Sequence, residues 1–233
     1  RAESKVAQSN RHRLIIIGAG SAGICMGISL KNAGIEDFII LEKADEIGGT
    51  WFWNRYPGAG CDVQSHLYSF SFEQNNDWSQ PFAGQEEILA YLNFCADKYG
   101  IRAHVRFNTA VTAAHWQDDQ GHWLLTTGSG ERFEAQSVIS ALGMFNKLVM
   151  PAIPGVDEFE GTYFHSARWN HDHDLSGERV GVIGIAASAI QFIPEIAKQV
   201  KSLTVFQRSA NWMLPRGNRA FTEKEKQRFT RFP

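Results

Sequence analysis

One ten-residue stretch restricts this chain more than any other: Leu14-Ile15-Ile16-Ile17 running straight into Gly18-Ala19-Gly20-Ser21-Ala22-Gly23. The unbroken, mostly β-branched apolar run predicts a strand buried on both faces. The residues after it predict a helix, with Ile24, Ile28 and Leu30 apolar and Gly34 placed to end it. Asp37 to Leu41 predicts a second buried strand, closed by Glu42. A strand, glycine turn, helix and strand, with an acid about twenty residues past the turn, is the context a dinucleotide fingerprint requires. Gly18 permits the tight turn, Gly20 keeps a Cβ out of the path of a pyrophosphate, and Gly23 lets helix and strand pack closely. The helix N-terminus then faces phosphate with free N–H groups and the positive end of its dipole. Glu42 can accept from ribose hydroxyls and opposes a 2′-phosphate, so this unit is expected to prefer FAD or NAD to NADP.

A second unit follows a break. Pro151, Pro154 and Gly155 interrupt the pattern and mark a linker. Arg179 to Ile183 predicts another buried strand, leading into Gly184-Ile185-Ala186-Ala187-Ser188-Ala189, a helix to about Val200, and a strand from Leu203 to Phe206. Ala186 and Ala189 stand where the second and third glycines would be, and a Cβ at Ala186 narrows the approach to a pyrophosphate. The decisive residue comes after the second strand. Here it is Arg208, with Ser209, where the first unit has Glu42. Arg offers planar, multi-donor contact to a phosphate, so this unit is expected to hold NADPH rather than NADH.

Between the units lies Gly48 to Asp62, GGTWFWNRYPGAGCD, too aromatic for an ordinary surface loop and too rich in Gly and Pro for a helix or strand. Bare rings on a loop are disfavoured, so a large flat group is expected to cover them: a flavin, with Asp62 presented to the chemistry. Ser65 to Phe72 reads as extended. Gln85 to Tyr99 reads as a helix, with Ile88, Leu89, Leu92, Cys95 and Tyr99 on one face and Gly100 ending it. Val105 to Leu142 reads as short strands with hairpin turns at Asp118–Gly121 and Gly128–Gly130, and with Ser137 to Leu142 buried. The fold class expected is α/β, with two Rossmann-like dinucleotide-binding domains and a β-meander inserted in the first. The boundaries read as 1–145 for the FAD domain, 146–175 for a linker and 176–233 for the NADP domain.

Charge and cysteines exclude several classes. A net charge of −2 and a pI near 6.5 argue against recognition of nucleic acid through a basic field. Cys25, Cys61 and Cys95 form no CxxC and no disulfide framework, which points to a reducing compartment and away from dithiol chemistry. The apolar runs are too short to span a bilayer, and Arg1 to Asn10 lacks a signal-peptide core, so a cytoplasmic protein is expected. His171-Asp172-His173-Asp174 has no partner cluster, and no metal site is assigned. Phe221 to Arg231 mixes charges on a helix with a solvated face. A start without Met and an abrupt end at Pro233 suggest a stretch of a longer protein.

Two segments carry a family resemblance. Gly48-Gly49-Thr50-Trp51, four residues, Tyr56-Pro57-Gly58, three residues and Asp62 resemble the pattern of type I Baeyer–Villiger monooxygenases at every fixed position. Phe159 to Asn170 (FEGTYFHSARWN) resembles that family's fingerprint, FxGxxxHxxxW followed by Pro or Asp, departing from it only at Asn170. Trp169 favours this branch over the related flavin-containing and N-hydroxylating monooxygenases.

The resemblance implies that NADPH reduces FAD and that the flavin reacts with O2. A peroxyflavin then adds to a ketone, giving an ester or lactone while NADP+ stays bound. Trp51, Phe52, Trp53 and Tyr56 would supply the dry wall such a species needs. Asp62 is implied to orient a catalytic Arg that lies outside this sequence. His165 is implied to couple movement of the NADPH domain to the flavin site. FAD contacts are implied at Gly18, Gly20, Ala22, Gly23, Glu42, Thr50, Trp51, Trp53, Asp62, Tyr68 and Val111. NADP contacts are implied at Gly60, Cys61, Asp62, Ile185, Ala186, Ala187, Ser188, Ala189, Ile190, Gln191, Arg208 and Ser209, with Cys61 a neighbour of the nicotinamide and not a nucleophile. Two other readings stand beside this one: oxygenation of an amine or sulfide by a related enzyme, and a nucleotide-binding fragment without catalysis.

Overall fold

The computed structural model describes residues 10–231. The chain divides into two compact units. One takes the residues up to Phe52 together with Leu92–Asn146; the other takes Trp53–Tyr91 and the residues from Lys147 on.

The first unit is built on the opening motif. Strand β1 (Arg11–Ile17) leads into helix α1 (Ser21–Asn32) and strand β2 (Phe38–Leu41). Arg11 and Arg13 are exposed at the start of β1 while Ile15, Ile16 and Ile17 are buried at its end. The fully apolar strand is therefore sandwiched where the glycine turn begins. On one face Ile15 and Ile17 join Ile39, Leu41, Leu125 and Phe133 in a single cluster. Over the other lies α1, drawn close because a Cβ at Gly27 would meet Ile40 and Ile101 at 3.3 Å. Each such aliphatic side chain contributes roughly 1.5–3 kcal/mol when buried. Helix α1 ends where Gly34 takes φ +74° and the Ile35 N–H reaches back to the Leu30 carbonyl at 2.9 Å, the Schellman arrangement.

Two of the three points at which the chain passes between units lie in helices, α2 (Thr50–Trp53) and α3 (Gln85–Lys98); the third follows Asn146. The single turn α2 corrects the expectation that this stretch is too rich in Gly and Pro for helix. Both glycines precede it, with φ +115° and +54°, and the Trp51 N–H then closes onto the Gly48 carbonyl at 3.1 Å. Beyond α3, strands β3 (Val105–Arg106), β4 (Val111–Gln117), β5 (His122–Thr127) and β6 (Arg132–Ser140) complete a six-stranded sheet of order β3-β2-β1-β6-β5-β4. Pairing is parallel from β3 through β6 and antiparallel from β6 to β4, so the meander is continuous with the nucleotide-binding half. The end of β6 is only half-buried, with Ser137 and Ser140 exposed, where a buried strand was expected. The two serines occupy positions that a fully apolar strand would fill.

The second unit holds strand β7 (Arg179–Ile183), helix α4 (Ala187–Ile196) and strand β8 (Ser202–Phe206), the strands forming a parallel pair. Helix α4 stops four residues short of Val200. The sequence predicts β7 buried on both faces, but only one face is covered. Val180, Val182, Leu203 and Val205 pack with Ala189, Phe192 and Ile196 of α4, while Ile183 and Phe206 on the alternate face are 63% and 57% exposed. Ser65 to Phe72 is a run of turns rather than an extended segment. The Leu67 and Tyr68 N–H groups fold back onto the Gln64 carbonyl, and the Ser65 hydroxyl donates to the carbonyls of Gln80 and Pro81. Helix α5 (Glu223–Arg231) closes the described chain with most of its charges in solvent, while Glu225 pairs with Arg219 and Lys226 with Asp77. Among the described residues no helix is long and apolar enough to cross a membrane, and no group of three or more His, Cys, Asp or Glu is placed to hold a metal.

Candidate functional site

The first unit places its glycine turn in a tight backbone enclosure. Gly18 has φ +104°, and a Cβ there would lie 2.7 Å from the Ala141 carbonyl. A Cβ at Gly23 would lie 1.9 Å from the Gly18 carbonyl, so this position requires glycine whatever binds. The Gly18 N–H donates to the Leu41 carbonyl, and the Gly48 N–H to the Ala19 carbonyl, tying the turn to the ends of β2 and of the loop before α2. Gly20 stands at the cap of α1 with no side chain, so the helix presents its first-turn N–H groups without a protein acceptor from that residue. Gly20 and Gly49 lie back to back: a Cβ on Gly49 would come within 2.8 Å of the Gly20 Cα. This is a cradle that fits a pyrophosphate.

Glu42 is buried, and its two carboxylate oxygens accept from the Ala19 N–H at 2.6 Å and the Ala44 N–H at 2.9 Å. The acid that the sequence assigns to a ribose is thus also the residue that fixes the turn. A carboxylate has about four acceptor positions, so two remain for a hydroxyl. Ala22 is exposed on the first turn of α1, Trp51 is buried, Thr50 is exposed at the start of α2 and Val111 opens β4. Trp53, Asp62 and Tyr68 belong to the second unit.

The second turn is looser. Gly184 has φ +99°, a Cβ there would meet nothing within 4 Å, and its N–H donates to the Phe206 carbonyl at 2.9 Å. Ala186 caps α4, Ala187 and Ser188 begin it, and the Ile190 N–H closes its first turn onto the Ala186 carbonyl. The Ile185 carbonyl accepts from the Asn211 amide at 3.0 Å. Arg208 and Ser209 are exposed after β8.

Helix α4 also receives the end of the aromatic loop. Tyr56 packs edge-on to Phe192, and its hydroxyl donates to Gln191 Oε1 at 2.9 Å. The same Oε1 accepts from the Gly60 N–H at 3.3 Å, and Gln191 Nε2 donates to the Gly60 carbonyl at 2.8 Å. A Cβ at Gly58 would lie 2.8 Å from the Gln191 carbonyl, so glycine at 58 sets how closely loop and helix approach. Burial, first, and the Asp62 charge push the Tyr56 phenol above its ordinary value against an opposing hydrogen bond with Ser188. Burial likewise pushes the Cys61 thiol up, so near neutral pH it is a thiol and not a nucleophilic thiolate. Asp62 itself is exposed.

His165 caps the short 3-10 turn Ser166–Arg168: its Nδ1 accepts from the Ala167 N–H at 3.1 Å, which leaves the proton of the neutral ring on Nε2. The next residues place Arg168 over the Trp53 ring at 3.8 Å and Trp169 against Phe164 and Phe192. Burial alone holds the Arg168 guanidinium below its ordinary value. Residues 210–220 carry no motif, yet Arg216 donates to the Cys61 carbonyl and lies over the Phe82 ring. No periodicity marks that stretch either; only the fold brings it there.

An acid-closed glycine turn and an arginine-followed one, each between parallel strands, define an α/β protein with two dinucleotide-binding units. A family model described as pyridine nucleotide-disulphide oxidoreductase matches residues 15–220. A Baeyer–Villiger monooxygenase of Pseudomonas aeruginosa is 46% identical over 224 residues, which cover 96% of this chain and 42% of that protein. A Baeyer–Villiger monooxygenase of Streptomyces coelicolor is 47% identical over 214 residues, 92% of this chain and 41% of that protein. The crystal structure of cyclohexanone monooxygenase from Rhodococcus sp. Phi1 bound to NADP+ superposes with a TM-score of 0.89 at 38% identity, over 96% of this chain and 43% of that one. The chain belongs to the pyridine nucleotide-disulphide oxidoreductase family. It spans less than half the length of the curated relatives it matches. The disulphide in the family's description has no counterpart among the described residues, whose three cysteines are free.

Proposed function

We propose that this chain is the FAD- and NADPH-binding part of a monooxygenase that uses NADPH and O2 to convert a ketone into an ester or lactone. One observation carries the reading: the same chain builds two nucleotide turns of opposite character, one closed by the buried acid Glu42 and one followed by the exposed cation Arg208. In this reading residues 1–145 form the FAD domain, 146–175 the linker and 176–233 the NADP domain. FAD bound there would supply the chemistry that accepts electrons from NADPH and activates O2 for insertion of an oxygen atom next to the carbonyl.

The chain's own residues bind, orient and keep out water. Gly18, Gly20, Ala22 and Gly23 would receive the FAD pyrophosphate on the open N-terminus of α1, with Glu42 for a ribose. Thr50, Trp51, Trp53, Asp62, Tyr68 and Val111 complete the proposed FAD contacts. Ile185 to Ile190 would receive the second pyrophosphate, Arg208 and Ser209 the 2′-phosphate, and Gly60, Cys61 and Asp62 the nicotinamide end. Asp62 would orient a cation that sequence outside this chain supplies, and His165 would hold the turn that carries Trp169 against α4. Cysteines held outside any disulfide support a cytoplasmic location, and a net charge of −2 supports a small-molecule partner over nucleic acid.

The test is turnover of cyclohexanone by the protein at its natural length with FAD, NADPH and O2. Lactone formed in proportion to NADPH consumed is expected. NADPH consumption with a sulfide oxidised and no lactone would transfer the reading to heteroatom oxygenation. Failure to retain flavin would overturn both.

A further inference from the structure

We propose that Gln191 and Arg216 are positioning residues that grip the Gly60–Cys61 backbone from two sides and thereby set the direction in which Asp62 leaves it. This rests on the functional reading above only for the consequence at Asp62; the grip itself is a matter of the chain's own hydrogen bonds.

Gln191 makes a reciprocal pair with one residue. Both backbone groups of Gly60 are bound by one amide, N–H to Oε1 and C=O to Nε2, much as a neighbouring strand would bind them. The Tyr56 hydroxyl also donates to Oε1, so that oxygen faces two donors. A flipped amide would turn an NH2 toward both, and the orientation of the side chain is therefore set by the network. Both lone-pair directions of Oε1 are used within the protein. The residue that the family resemblance assigns to NADP is, in this structure, committed to the loop.

Arg216 holds the next carbonyl. Its guanidinium donates to the Cys61 carbonyl and lies 5.3 Å from the Phe82 ring centroid. The segment carrying it is fastened along its length. Asn218 accepts from the Phe82 N–H at 3.1 Å and donates to the Phe82 carbonyl at 3.0 Å, and the Phe221 N–H donates to the Ser79 carbonyl at 2.9 Å. Residues 79–85 form the floor: the Cys61 N–H donates to the Ala83 carbonyl, and the Gln85 N–H to the Ala59 carbonyl. A Cβ at Gly60 would lie 3.0 Å from the Ala83 carbonyl, so glycine lets the floor approach this closely without displacement. The dipeptide before Asp62 thus has its polar backbone groups bound by three separate segments: α4, the floor and the strap at 216–221. A grip this complete on a surface loop has no evident purpose in the core, and the residue it aims is an acid.

The experiment compares Gln191→Leu, Arg216→Met and Arg216→Lys in the protein at its natural length, by amide hydrogen exchange at residues 60–62 without coenzyme and by NADP+ affinity. Gln191→Leu is expected to speed exchange of the Gly60 amide roughly tenfold or more, the loss of one buried hydrogen bond, while NADP+ affinity falls only a few-fold. Arg216→Met is expected to speed exchange at Asp62 and Arg216→Lys to restore most of the protection. Unchanged exchange in both Gln191→Leu and Arg216→Met would overturn the proposal. So would unchanged exchange with more than a tenfold loss of NADP+ affinity in Gln191→Leu, because Gln191 would then serve the coenzyme directly. If the unaltered protein fails to bind NADP+, the functional reading fails, and the exchange rates alone still decide the grip.

Discussion

The units β1–α1–β2 and β7–α4–β8 follow one plan and differ in what holds the turn between strand and helix. In the first, backbone carbonyls stand within 2.7 Å of any Cβ at Gly18 or Gly23, and Glu42 binds the Ala19 amide. In the second, nothing lies within 4 Å of a Cβ at Gly184, and the methyl of Ala189 is itself part of the core beside Val182 and Phe192. The glycine at 23 is demanded by the protein, whereas the second unit packs alanine at 189 into its core. A fingerprint that looks degraded by its letters is therefore intact packing of another kind. The closing residues differ in the same sense, a buried acid against an exposed arginine.

The sharpest way to break this comparison is to exchange the residues it turns on. Gly23→Ala drives a methyl into the Gly18 carbonyl and is expected to cost about 3 kcal/mol or more, lowering the melting temperature by several degrees or preventing folding. Ala189→Gly is expected to cost only about 1–2 kcal/mol, from helix propensity and a lost methyl contact. Equal shifts in thermal unfolding would mean the two turns are held alike. Next in size is Arg208→Ala, which removes the charge-assisted contact proposed for a 2′-phosphate. A roughly ten- to hundredfold drop in kcat/KM for NADPH is expected, with NADH nearly unaffected. Equal losses for both coenzymes would remove the functional half of the contrast.

The smallest effect belongs to a site outside both turns and serves as a control. His66 packs against Phe221 and Phe229 with its Nε2 buried, and burial holds its imidazole below the ordinary value. Its proton is bound more tightly in the unfolded chain, where it titrates near about 6.5. The stability it contributes is therefore complete above that pH and declines as pH falls below it. His66→Phe is expected to flatten the decline in melting temperature between neutral pH and pH 5 while leaving nucleotide affinity unchanged; an undiminished slope would assign the acid sensitivity elsewhere.

How far these features are legible in the letters depends on the range of the interaction. The glycine turn, Gly34 and the Gln85–Lys98 helix are local devices: a positive φ or a 3.6-residue repeat is written in consecutive residues, and each appears where expected. Strand burial is not local. Val180 and Ile183 look alike in sequence, and only the single helix lying on one side of the β7–β8 pair makes one half-buried and the other exposed. The site shows the same division. Gly18 and Glu42 are found by spacing. The second duty of Glu42 needs the fold, and so does the pairing of Gln191 with Gly60, 131 positions apart in the chain. Arg216 lies in a segment with no periodicity at all, and nothing local announces it.

Gly20 and Gly49, packed back to back, leave a directional mark on the chain's history. A methyl on residue 20 would sit 3.5 Å from the Gly49 Cα, ordinary contact, whereas one on residue 49 would sit 2.8 Å from the Gly20 Cα on a backbone at φ +54°. Alanine is thus open at 20 as far as the polypeptide is concerned, and alanine is the residue at the equivalent position, 186, of the second unit. Drift at 49 is closed by the polypeptide. Across descendants of such a chain, residue 20 is free of the fold's own demand for glycine, and residue 49 is a record of shared ancestry in the fold.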